Sequence, residues 1–189
     1  MEARIIESSA IPAHISVMSG RSTEIANEFI RRAAQEARHL THMQLQKLVY
    51  IAHGWNLAIN GTPLTTDIPA AWDYGPVYKD LFDALRQYGS NPVTREIRSG
   101  DLGIGVLLQG PDAEEVLTPD LNKNETDVID RVFKDYGKFH AFNLSALTHK
   151  TGTPWDQIYS GGAGRLQTID NERVRRHFID LARNPRPAA

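Results

Sequence analysis

Cysteine is absent from all 189 residues, which removes disulfides, thiol nucleophiles and cysteine-ligated zinc and fits a reducing compartment. Nowhere do about eighteen apolar residues run together, so no membrane-spanning helix is expected. The N-terminal MEARIIESSAIPAHISVMSG has neither a basic start nor a sustained apolar run, and it does not read as a secretory signal. An excess of one charge sign is also missing. With 21 Lys and Arg against 23 Asp and Glu, the chain has no global attraction for nucleic acid or an anionic membrane. Phosphate-cradling loops, a G-x-S-x-G nucleophile elbow, and the H-x-x-x-H and H-E-x-x-H metal pairs are all lacking. The sequence gives no ground for a cofactor, a metal or a catalytic residue.

What is present is the material of one helical domain. The length suits a single core of ordinary size. Residues 1–21 have no clear period and read as an arm, and 183–189, with Pro185 and Pro187, as a tail that cannot continue a helix. Thr23 to Ala37 reads as a first helix with Ser22 as N-cap. Thr41 and Gln44 form a capping box, with Leu40 and Leu45 as staple. Leu45, Leu48, Val49, Ala52, Trp55 and Ile59 then keep helical spacing until Asn60-Gly61. Ile68 to Tyr74 reads as a strand, with Trp72 and Tyr74 on one face and Asp73 on the other. Gly75-Pro76 is expected to open a third helix through Tyr88, and Ile104 to Leu108 to form a second strand pairing with the first. Asn122 and Glu125 make another capping box, followed by helices at Ala141–Lys150, after Thr153-Pro154, and from Asp170. The expected fold is mainly helical α+β, about six helices with a small antiparallel sheet.

Candidate chemistry is sparse. Asp73 has no acidic partner nearby in sequence, which leaves it solvated or salt-bridged rather than catalytic. Ser145 and His149 are four apart on one helix face, but nothing supplies an oxyanion hole. The helices around Gly137 have the rhythm of a helix-turn-helix. Its second helix carries only His149 and Lys150 as cationic readers, at its far end, which disfavours DNA binding. Arg173, Arg175, Arg176 and His177 stand beside Glu172 and Asp180, as on a solvated face.

Three blocks do carry information together. They are Leu45 to Gly54 (LQKLVYIAHG), Ala71 to Val77 (AWDYGPV), and Leu144-Ser145-x-Leu147-Thr148-His149 followed by Pro154-Trp155. In order and approximate spacing they resemble the Panacea domain, the SocA-like phage-associated antitoxin domain, over about residues 22–182. Two departures stand out: the arm lies outside the pattern, and His140 occupies a position where the family often has a helix-capping serine.

The resemblance implies a non-enzymatic, cytoplasmic antitoxin that binds a cognate toxin protein from a neighbouring gene. One family member also delivers its toxin to a ClpXP-type protease, so adaptor and autorepressor roles are the alternatives. Partner-binding candidates are Lys47, Tyr50, His53, Trp72, Tyr74, Tyr78 and Trp155. Among these Trp72 and Trp155 are expected in the core, and Lys47 and Tyr78, polar-tipped and on helices, at the surface.

Overall fold

The block Leu45 to Gly54 lies in the helix at the centre of the fold. In the computed structural model, which describes residues 21–102 and 114–184, helix α2 spans His42–Asn60. Its capping box forms as the sequence predicts, Thr41 accepting from Gln44 N, and Gly61 ends it in the left-handed conformation. Leu45 to Gly54 is buried on every side, because helices surround α2 rather than covering one stripe. These are α1 (Ser22–Gln35), α4 (Lys123–Tyr136), α5 (Ala141–Thr148) and α7 (Asn171–Arg183). Where α7 crosses, Gly54 makes the approach possible: a Cβ there would meet the Phe178 ring at 2.1 Å.

The remaining helices are α3 (Lys79–Leu85) and α6 (Pro154–Tyr159), giving seven α-helices among the described residues. Two antiparallel pairs accompany them. Strand β1 (Leu40–Thr41) pairs with β4 (Pro92–Val93), and β2 (Ala70–Trp72) with β3 (Gly75–Val77). The expected mainly helical α+β class is therefore what forms. Asn122 caps α4 in its box with Glu125, Thr153 caps α6 with Pro154 in its first turn, and Asp170 caps α7 by accepting from Arg173 N.

Several local expectations are corrected. Gly75-Pro76 does not start a helix. It forms β3, which folds back on β2 with Trp72 opposite Gly75, and α3 begins only at Lys79. Pro76 is compatible with either element, since its missing N–H suits a helix start or an edge strand. What decides is Gly75, whose φ of 105° reverses the chain after Asp73-Tyr74. The partner of the first strand is thus β3, and Asp73 and Tyr74 are turn residues, so Trp72 and Tyr74 do not share a strand face. Ser22 is the first helical residue of α1 rather than its cap, Arg21 preceding it at φ 55°. Helix α1 ends at Gln35, α5 ends at Thr148, and Tyr88 lies in a short 3-10 turn after α3. The expected arm before Arg21, the Ile104–Leu108 strand with Gly103 and Gly110, and the tail after Asn184 lie outside the described residues.

Candidate functional site: a pinned hairpin

The β2–β3 hairpin is held from beneath by side chains, one carbonyl at a time. Trp155 Nε1 donates to Trp72 O at 2.8 Å, and Ser145 Oγ to Tyr74 O at 3.0 Å. Lys47 Nζ donates to Pro76 O at 2.9 Å, and Gln46 Nε2 to Tyr78 O at 3.1 Å, while Gln46 Oε1 accepts from Tyr78 N. Four alternate carbonyls, at residues 72, 74, 76 and 78, thus receive donors from α2, α5 and α6. On its other edge β2 is bonded to the chain before α7, Leu166 N donating to Ala71 O and Ala71 N to Gln167 O. A buried carbonyl without a partner is destabilising, so each donor fixes the hairpin as well as satisfying it.

The packing under the turn leaves no slack. A Cβ on Gly75 would lie 2.7 Å from Thr148 Oγ1 and 2.9 Å from Lys47 Cε. His149 stacks on Trp155 at 3.8 Å, and Trp155 on Tyr159 at 4.4 Å, which aims the indole N–H at Trp72 O. Burial drives the Lys47 ammonium down to about 7. Burial, assisted by the nearby Lys47 charge, lowers His42 to about 4 and shifts His149 down as well. The floor of the hairpin is therefore polar and buried, with burial shifting Lys47, His42 and His149 toward their neutral forms.

Above this floor, the tip faces solvent. Tyr74 is 64% exposed. Asp73 accepts from Arg165 Nε and from Tyr159 OH, both at 2.9 Å, and these two bonds, Arg165 foremost, hold its carboxyl below the usual range. Asp73 is salt-bridged, as the sequence allowed, and it is a surface anchor of the turn.

The structure sorts the seven candidate residues sharply. Lys47 and Tyr78, expected at the surface, are buried, Lys47 at 1% exposure, because their polar ends turn inward to the hairpin and the core. Tyr50 and His53 are also buried, Nε2 of His53 pairing with Asn171 Oδ1 at 2.9 Å to join α2 to α7. Trp155 is in the core as expected. Trp72 is half-buried against Phe82, and Tyr74 alone of the seven is exposed. Lys47, Trp72, Tyr74, Tyr78 and Trp155 all belong to the hairpin and its supports. Tyr50 and His53 line the core behind it.

Sequence reasoning missed Gln46, Tyr159 and Arg165, and it considered Ser145 only as a partner for His149. The Ser145 hydroxyl is instead committed to Tyr74 O. Gln46 and Ser145 did lie within the quoted blocks, so the blocks themselves were the available signal. Arg165 follows a glycine-rich run and offered none. A separate cleft of about 240 Å³ between α2 and α4 is lined by Trp55, Ile59, Val128, Val132 and Tyr136, with Arg131 and Asp135 paired at its rim.

A profile of the family described as "Antitoxin SocA-like, Panacea domain" matches residues 45–156. The chain belongs to this family. The four side chains that bond the hairpin carbonyls, from Gln46 to Trp155, fall inside the matched stretch, while Tyr159, Arg165 and Leu166 fall beyond it. A curated relative, Antitoxin SocA of Caulobacter vibrioides (strain NA1000 / CB15N), is 28% identical over 142 residues, 75% of this chain and 72% of the relative. No solved structure matches. Membership of the Panacea family and the likeness to a named antitoxin support an antitoxin role. No described helix is long and apolar enough to cross a membrane.

Proposed function

We propose that this Panacea chain is a cytoplasmic antitoxin that neutralises a toxin protein, encoded by a neighbouring gene, through direct stoichiometric binding. The contact surface centres on the Asp73–Tyr74 tip of the hairpin. The observation that carries this reading is the contrast within one short element: four side-chain donors immobilise its backbone while Tyr74 is left 64% exposed at its apex. An exposed tyrosine on a rigid turn offers a large amphipathic contact at little entropic cost on binding. The role asks for binding and for no chemistry from the chain, so it is not an enzyme. The DNA-binding alternative gains little, since Arg173 and Arg176 of α7 face Asp170 and Glu172.

Co-expression with the adjacent open reading frame tests the proposal. That frame alone should arrest growth, this chain should restore it, and the two proteins should co-purify in equal amounts. Tyr74→Ala should weaken both rescue and co-purification while leaving the fold intact. A harmless neighbour that never co-purifies refutes the antitoxin reading.

A further inference from the structure

Between α6 and β2's neighbouring segment, the chain makes a tight loop in which Ser160, Gly161, Gly162 and Leu166 all take positive φ. Glycine adopts that region freely, but Leu166, at φ 69°, does so against the crowding of its own Cβ. The backbone has a reason for the conformation. It lets Leu166 N donate to Ala71 O at 2.7 Å and places Gln167 O on Ala71 N at 2.8 Å. A glycine would meet both requirements without strain. The side chain is not compensated by burial either, since it is 52% exposed. Nothing among the described residues accounts for a leucine here, and backbone strain held at an exposed position points to a contact outside the monomer.

Its surroundings say what kind of contact. Leu166 follows Arg165, Tyr74 follows Asp73, and Arg165 and Asp73 are bonded to each other. Two large exposed side chains therefore flank one ion pair whose charges cancel, with Tyr159 OH also satisfying the carboxylate. A neutral pair with apolar bodies on either side matches a neutral, apolar recess in a protein. It does not suit phosphate or an anionic lipid surface, which ask for uncompensated positive charge.

We propose that Leu166 is a second contact residue of the toxin-binding surface, an apolar knob that seats beside Tyr74 in an apolar recess of the toxin. This rests on the antitoxin reading above and extends the surface beyond the hairpin itself.

The test uses the full chain and the polypeptide encoded by the adjacent open reading frame, with binding titrated on purified proteins and stability followed by urea unfolding. Leu166→Gly should be as stable as wild type or more so, because the strain is relieved, yet bind about tenfold or more weakly. Leu166→Met should retain binding. Ile59→Ser, at another exposed apolar position, beside the α2–α4 cleft, should bind as wild type. A folded Leu166→Gly variant that binds within about twofold of wild type overturns the inference and leaves the antitoxin reading intact. A Leu166→Gly variant that loses stability overturns it too, since the leucine then serves the fold. If wild type itself neither binds nor rescues, the antitoxin reading fails, and this inference with it.

Discussion

Replacing Lys47 by methionine probes the base of the hairpin. Burial lowers the Lys47 ammonium from 10.5 to about 7, with Pro76 O as its acceptor at 2.9 Å. The other titratable groups that feel its charge are His42 and His149, both shifted toward the neutral form, and no carboxylate among the described residues offsets the burial. Between about 7 and 10.5 the unfolded chain keeps a proton that the folded chain has released. Stability from this group is therefore complete only above the unfolded value, and it is lost progressively as pH falls toward the folded one. At about 1.4 kcal/mol per pH unit, the whole window amounts to roughly 5 kcal/mol, an upper bound that relaxation around the amine will reduce. Urea unfolding of wild type and Lys47→Met at about pH 6.5, 8 and 9 isolates the term, because surface titrations are common to both proteins. Wild type should gain roughly 2–3 kcal/mol over Lys47→Met between about pH 7 and 9. Parallel profiles for the two proteins would mean that the ammonium stays charged at neutral pH, and the reasoning would fail.

Other substitutions separate support from contact. Gly75→Ala forces a Cβ into Thr148 and Lys47 at an unfavourable φ, and should cost about 2–3 kcal/mol in urea unfolding. Trp155→Phe removes the donor to Trp72 O while keeping most of the stack, and should cost about 1–2 kcal/mol by the same measurement. Tyr78→Phe removes a buried hydroxyl with no partner among the described residues, and should leave stability unchanged or raise it by about 1 kcal/mol. His42, lowered to about 4, should stay neutral well below the ordinary range of histidine. An NMR titration of its imidazole should show no charging near the usual 6.5, and acid should remove its contribution to stability as pH falls from 6.5 toward about 4.

The helices were legible because their signals are local. Thr41 and Gln44, Asn122 and Glu125, and Thr153 with Pro154 satisfy backbone N–H groups within four residues of themselves, so their chemistry is written in adjacent letters. The helical spacing of Leu45, Leu48, Val49, Ala52, Trp55 and Ile59 likewise announced a core helix, although Ile59 at its end is exposed. The family blocks were legible as a pattern of residue types, and with them the expectation of an antitoxin.

Their purpose was not legible, because each block does its work on another one. Gln46 and Lys47 reach 32 and 29 residues along the chain to Tyr78 and Pro76, Ser145 reaches 71 back to Tyr74, and Trp155 reaches 83 back to Trp72. A side chain's local spacing cannot distinguish a lysine tip in water from one spent on a buried carbonyl. That is why Lys47 and Tyr78 looked like surface residues and are core residues. The same limit applied to Gly75-Pro76, whose local chemistry permits a helix start and a strand alike. By itself the sequence determined the helical class, the caps of α2, α4 and α6, and the family. Only the tertiary structure decided which polar groups face inward and that Tyr74 stands at the apex of the hairpin they pin, because burial and long-range hydrogen bonding depend on every element packed around them.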